Sequence, residues 1–353
     1  MHSFPDVKFR TPWRGLVAAL GLAVALPFVR AQKGVGNVGA AAPAAVSFAS
    51  MAQAVRVQDY TIVELRRFFT TNGVIAVREE VRVDANGTAH PDFELDYRGV
   101  EGEPTGSVVW QQWSQTYAEH SRLLFEHGMF RIRDLARARA NYTLHDYGPA
   151  QRLGRAVRRC VVFPQRPDKP IWFVEVDVAT KVPLYGAEYD SHMRMLSEIE
   201  AVSFVGSAQL GAQAGSTTLT VHPSFTAART FMGAPGGLVE PKPTATDEYE
   251  MHRVEVRTDP LNNRQTLLLG YTDGVDQFFV VETPGTSDSF GALPVRQKTG
   301  PSHTIARYRD PAMSVLLYWD ESVSFQVAGR GSLLRLDGFA QAIYVQALQT
   351  SSR

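Results

Sequence analysis

The sequence predicts an α+β protein built mainly from antiparallel strands and divided into two domains. Three observations support this. Short runs alternate apolar and charged residues and are separated by turn dipeptides such as Asn86-Gly87 and Asp273-Gly274. Helical periodicity is confined to a few stretches, and a Gly, Ala, Thr and Pro-rich stretch from Gly206 to Thr246 interrupts the strand pattern midway. With 353 residues, 44% hydrophobic and 20% charged, the chain is long enough for about two domains, which excludes disorder, collagen and coiled coil. The 36 Lys+Arg are balanced by 36 Asp+Glu, so no global field favours nucleic acid, and none is expected as a partner.

Residues 1–31 have the pattern of a secretory signal peptide: basic Lys8, Arg10 and Arg14, an apolar run from Gly15 to Val29, and short side chains at Val29 and Ala31. That run is broken by Pro27 and falls short of the ~20 residues that span a bilayer, so cleavage near Ala31 is expected rather than anchoring. Cleavage removes four basic residues and one acid and leaves a net charge of −3. The lone Cys160 is far from the cleavage site and has no partner for an internal disulfide, so the exported chain is expected to be held by its cores, without a lipid anchor.

Residues 32–56 read as a flexible lead-in, and the first domain as 57–206. Thr61-Ile-Val-Glu64 resembles a capping box, and with Ile62, Leu65, Phe68 and Phe69 it predicts a short opening helix stopped by Asn72-Gly73. VIAVREEVRV and FELDY, on either side of Asn86-Gly87, predict a meander. Val108 to Trp113 reads as a further strand, and Ser114 to Glu126 is mixed helical. NYTLHDYG, GRAVRRCVVFP, IWFVEVDVATKVPLYGAEYD and RMLSEIEAVSFV follow as strands, with a turn at Val178 to Lys181 and with Trp172, Val174 and Val176 on one face. Residues 207–248 read as a linker. The second domain, 249–353, has strands HRVEVR, TLLLGY, VDQFFVVE, IARYR, SVLLYW and SVSFQVAG, then a closing helix traced by Leu333, Leu336, Ala340, Ile343, Tyr344 and Ala347.

Motifs of catalysis are absent from the sequence: no G-x-S-x-G, Walker loop, H-E-x-x-H or paired C-x-x-C is present. GTSDSFG (Gly285 to Gly291) reads as a loop. His120 and His127 lie seven positions apart, about 10 Å on a helix, too far to share one metal ion. Glu79 and Glu80 are adjacent and point apart in a strand. No cofactor and no metal is expected. One charge cluster stands out: Arg131, Arg133, Arg137, Arg139, Arg155, Arg158 and Arg159 are part of a 131–169 stretch with a net charge of +7, a candidate patch for an anionic partner or else a solvated sheet face.

From Tyr142 to Val205 the order of features is Gly154-Arg155, Cys160-Val-Val-Phe-Pro164, an extended run to Asp177, Thr180, Pro183-Leu184 and Ser203-Phe204. This resembles the N-terminal domain of the RseB/MucB family of periplasmic sigma-factor regulators. Tyr271-Thr-Asp-Gly274 before Phe278-Phe-Val-Val-Glu282, and Ser322 to Ala328 with its following helix, resemble that family's second domain. The resemblance covers 57–205 and 249–349. EEVRVDANGTAHPDFELDYRGVEG departs from it by lacking the usual F-x-G-x-x-x-Y opening. The implied fold is a curved antiparallel sheet wrapped round helices, a LolA/RseB-like half-barrel, followed by a small α+β domain.

The implied activity is non-enzymatic: binding the periplasmic segment of an anti-sigma factor and sensing lipid or mislocalised lipoprotein, peripheral to the membrane. A LolA-type lipid or lipoprotein carrier is the alternative, with an exported hydrolase as a third class. Trp110, Trp113, Tyr117, Leu123, Leu124 and Phe125 are the candidates to line an apolar concavity that takes acyl chains or a hydrophobic peptide, or else they form ordinary core.

Overall fold

The computed structural model describes residues 45–70, 73–85, 92–111, 113–114, 130–167, 169–208, 210, 218–233, 238–240, 249–259, 263–284, 296–298, 304–309, 314–319 and 323–329. Helix α1 (Phe48–Val57) precedes strands β1 (Tyr60–Thr70), β2 (Gly73–Asp84) and β3 (Asp92–Val100). After α2 (Leu135–Asn141) come β4 (Tyr142–Arg152), β5 (Arg155–Pro164), β6 (Ile171–Asp177), β7 (Pro183–Tyr189) and β8 (Met195–Val205). Then follow β9 (Thr218–Val221), α3 (Phe225–Phe231), β10 (Glu250–Thr258), β11 (Gln265–Thr272) and β12 (Gln277–Pro284). Last are β13 (Arg296–Lys298), β14 (Thr304–Arg309), β15 (Ser314–Trp319) and β16 (Val323–Gly329).

These strands form two open antiparallel sheets of eight, in the orders β3-β2-β1-β8-β7-β6-β5-β4 and β13-β14-β15-β16-β12-β11-β10-β9. Each consists of two meanders. In the first sheet the pairing of β1 with β8 joins them, and in the second the pairing of β12 with β16 does so. The chain leaves the first sheet at one edge, β3, and re-enters at the other, β4. Among the described residues between them, Trp113, Phe130, Ile132 and Ala138 are buried. The first sheet is strongly curled. Arg152 at the end of edge strand β4 reaches Glu200 on β8 at 3.1 Å, although four strand spacings in a flat sheet amount to about 19 Å.

Helix α1 lies in the stretch expected to be a flexible lead-in. Ser47 caps it, its Oγ accepting from Ser50 N–H at 3.1 Å while Ser50 Oγ accepts from Ser47 N–H at 3.0 Å. Phe48, Met51 and Ala54 then fall on one face and are buried. Phe48 and Met51 join Trp172, Val174, Val176, Cys160 and Val162 in one apolar cluster, so the expected Trp172, Val174 and Val176 face is found.

The opening helix expected from Thr61 is instead strand β1. Its period is two: Tyr60, Ile62, Glu64, Arg66 and Phe68 are buried, and the two charges at core positions disguise the alternation in the sequence. Val108 to Trp113 is helical over 108–111 and at 113, not extended; Ser107 Oγ caps the turn by accepting from Trp110 N–H at 3.1 Å. Within the expected linker, β9 pairs with β10, and α3 buries Phe225 and Ala228 in the cluster of the second sheet. The remaining strands occur as expected, including the Asp273-Gly274 hairpin between β11 and β12. The closing helix after Gly331, the loop 285–291, and His120 and His127 lie outside the described residues. No helix among the described residues is long and apolar enough to cross a membrane.

Candidate functional site

Two places concentrate buried polar chemistry: the helix-covered face of the first sheet and the junction between the sheets. On that face Phe68 stacks on Trp113 with ring centroids 5.5 Å apart, and Tyr97 meets Trp110 at 6.1 Å. Trp113 is buried and Trp110 half-buried. Tyr117, Leu123, Leu124 and Phe125 lie outside the described residues.

Beside Phe68, Glu64 of β1 stands directly opposite Glu79 of β2, and both carboxylates are buried. Like charges opposed across a ladder repel. The Arg66 guanidinium answers both, pairing with Glu64 at 3.5 Å and with Glu79. Burial, and then the neighbouring Glu79 carboxylate, push Glu64 up to about 8 against the opposing pull of Arg66. A proton therefore shares this site with one guanidinium at neutral pH. The sequence signal was faint: Glu64 and Arg66 look like ordinary surface charges until β1 is known to be a strand.

The opposite face of the first sheet is self-paired. Arg67 bonds Glu198 at 2.9 Å and Glu200 at 3.0 Å, Arg152 bonds Glu175 at 2.6 Å, and Tyr185 donates to Glu198 at 2.8 Å. Burial, followed by Glu198, raises Tyr185 above the ordinary phenol range. Cys160 is buried, and desolvation followed by the Asp146 charge raises its thiol to about 12, which leaves it unreactive.

At the junction, the β11–β12 turn, Thr272 to Asp276, enters the helical layer of the first sheet. Asp273 is fully buried; its Oδ2 accepts from Tyr142 Oη at 2.8 Å and pairs with the Lys169 ammonium. Its Oδ1 is used within the turn, accepting from Val275 N–H at 3.1 Å and Asp276 N–H at 2.8 Å. Asn141 Nδ2 donates to Asp273 O at 2.8 Å, and Arg133 N–H to Gly274 O at 2.8 Å, while the Arg133 guanidinium donates to Val275 O. Val275 completes the cluster that holds Trp172 and Val174. Gly274 has φ +110°, and a Cβ there would overlap the Ala138 backbone, so only glycine fits. Lys169 also sits 4.4 Å from the centre of the Tyr249 ring, whose hydroxyl donates to Asp276 Oδ2 at 2.7 Å.

The arginine cluster is dispersed and locally neutralised. Arg133 and Arg137 face the second sheet, Arg137 pairing with Glu250. Arg155 grips Asp177 with two bonds of 2.9 and 3.0 Å, and Arg158 bonds Asp146 at 2.8 Å. Arg131 is buried, Arg159 half-buried and Arg139 exposed. Three of the seven are thus paired with Glu250, Asp177 and Asp146, and with Arg131 buried the seven do not form one open patch. Among the described residues, no three of His, Cys, Asp and Glu are grouped so as to hold a metal ion. The sequence marks Asp273 as a turn residue, Lys169 as one charge of the basic stretch and Tyr142 as the start of a strand, but not their pairing, because nothing local marks two residues more than a hundred positions away as partners of a turn aspartate.

No protein-family model matches the chain, and no curated protein matches it. Among solved structures it is similar to a crystal structure of MucB, at 14% identity over 84% of this chain and 94% of that one, with a TM-score of 0.42. It is also similar to the Pseudomonas aeruginosa MucA/MucB complex, at 15% identity over 84% and 95%, TM-score 0.37. A third is MucB in complex with MucA(peri), at 15% identity over 83% and 95%, TM-score 0.39.

Proposed function

We propose that this chain is an exported binding protein of regulatory type, working in the periplasm after removal of residues 1–31, and that it takes the extracytoplasmic segment of a single-span anti-sigma factor. One observation carries the reading: the residues on which the RseB/MucB resemblance rests are the ones that build the joints of the fold. The β4–β5 turn at Gly154-Arg155 and the β6–β7 turn at Asp177 and Thr180 are joined by the Arg155–Asp177 ion pair, and Thr180 donates to Asp177 Oδ2 from both N–H and Oγ1 at 2.7 Å. Tyr271 to Gly274 leads into the turn that ties one sheet to the other. Such residues organise two sheets around a binding surface and carry no acid–base or nucleophilic chemistry, which favours a regulator over a hydrolase.

The apolar helix-covered face, with Phe68 and Trp113, is the proposed place for an acyl chain or a hydrophobic peptide side chain. The test is calorimetric titration of the mature chain with the extracytoplasmic segment of an anti-sigma factor from the same cell. A complex with Kd of about 1 μM or tighter is expected. Absence of binding to every such segment by a folded sample overturns the reading. Native mass spectra that retain phospholipid but no protein partner would replace it with the carrier.

A further inference from the structure

Glu282 of β12 lies on the face of the second sheet that carries its apolar cluster. Its register partners are Leu267 of β11 and Phe325 of β16, both cluster members. The side chain is 0% exposed. It has one hydrogen bond, Oε2 accepting from Val239 N–H at 3.0 Å, and Oε1 has no partner. The donor belongs to an irregular strap, Leu238 to Glu240, that lays Leu238 and Val239 into the same cluster. Among the described residues, no cation is paired with the carboxyl. Burial, and then the Glu282 and Glu240 carboxylates, oppose ionisation of the Tyr271 phenol on β11, which marks Tyr271 as a neighbour of Glu282; among the described residues, β16, α3 and the rest of β12 contribute uncharged members to the cluster around it.

An ionised carboxylate in such a setting loses its water and regains one backbone donor, so the group neutralises instead. Burial accordingly pushes Glu282 well above the ordinary carboxylate range, against the opposing bond from Val239. Whatever ionises it must also admit water. The strands on both sides are held by ladders, whereas the strap, of which Leu238 to Glu240 are described, is held among the described residues by two apolar side chains and this one hydrogen bond. The strap is the part that yields.

We propose that Glu282 is carried as a neutral acid in the folded protein and that its ionisation releases the strap Leu238–Glu240, uncovering the apolar face around Leu267 and Phe325. The direction follows from linkage. Because the folded value is raised, the strap is fully held below the ordinary value of 4.5 and is loosened as pH rises through the folded value. The device therefore closes in acid and opens toward alkali.

The experiment is hydrogen exchange on the full chain between about pH 5 and about pH 9, corrected for intrinsic rates, comparing wild type with Glu282→Gln. Expected in wild type is a loss of protection at the Val239 amide of about tenfold or more across that range, with β11 and β12 amides unchanged, and a flat profile in the variant. The same pH profile in both proteins, or a loss spread evenly over β11, β12 and the strap, overturns the proposal. Should Glu282→Gln not fold, infrared difference spectra of wild type with isotope-labelled glutamate decide. A protonated carboxyl band persisting at neutral pH and vanishing in step with Val239 protection supports the device, and its absence at neutral pH overturns it.

Discussion

Asp177, in the β6–β7 turn, and Asp273, in the β11–β12 turn, are both buried turn aspartates that accept backbone N–H groups of their own turns, from Thr180 in one and from Val275 and Asp276 in the other. They differ in where the rest of the carboxylate is spent. Asp177 meets Arg155 on the adjacent strand β5, 22 positions away and within the same sheet. Asp273 meets Tyr142 and Lys169, 131 and 104 positions away, in the layer of the other sheet. One turn fixes the register of a meander, and the other fixes how the second sheet docks. The same local chemistry gives a local or a global constraint depending on whether its partner is a strand neighbour or a distant element.

The sharpest way to break this contrast is Gly274→Ala. The added Cβ meets the Ala138 backbone at a positive φ, so strain and overlap together cost about 4–6 kcal/mol. Urea unfolding followed by probes in each sheet should split from one transition into two; a stability near that of wild type would mean that the turn is not seated against α2.

Lys169→Met leaves Asp273 buried without its cation and is expected to cost about 3–5 kcal/mol. In a double-mutant cycle with Asp273→Asn the two losses should fall well short of additivity. Additive losses would show that the pair does not act as a unit.

The matching change in the first sheet, Asp177→Asn, should cost less, about 1–2 kcal/mol, because the Arg155 side chain is 33% exposed and partly screened. Burial raises the Asp177 carboxyl, but the bonds from Arg155 and Thr180 outweigh it and hold the group below its usual range. Its stabilisation is therefore complete above the ordinary carboxylate range and is lost as pH falls through the lowered value. Stability measured from about pH 2 to about pH 6 should flatten in the variant, and an unchanged acid limb would remove Asp177 from the account. Smallest of all, Arg155→Lys keeps the charge and loses the two-bond fork, at about 0.5–1 kcal/mol in thermal unfolding.

Strands were legible wherever apolar residues alternate, as at Trp172, Val174 and Val176, and where Asp273-Gly274 marks a hairpin, whose loop is four residues long and not the two that the dipeptide suggests. Strand β1 was not, because Glu64 and Arg66 occupy core positions where Arg66 is paired with Glu64 and with Glu79 of the next strand, and the remaining Ile62, Leu65, Phe68 and Phe69 fall by coincidence on a helical spacing. Helix α1 was hidden for the converse reason: FASMAQAVRV has few strongly apolar residues, and Phe48 and Met51 gain their burial from a sheet that the local sequence cannot announce.

By itself the sequence determined most of the antiparallel strand content and the turns that join the strands, because periodicity and turn chemistry act over a few residues. Only the tertiary structure decided which charges are spent, turning part of a run of arginines into separate pairs with Asp146, Asp177 and Glu250, a turn aspartate into the joint between two sheets, and Glu282 into a buried acid with one oxygen unbonded among the described residues. The reason is physical: the worth of a charge depends on its burial and on partners as far as 142 positions away, and neither quantity exists until the sheets are formed.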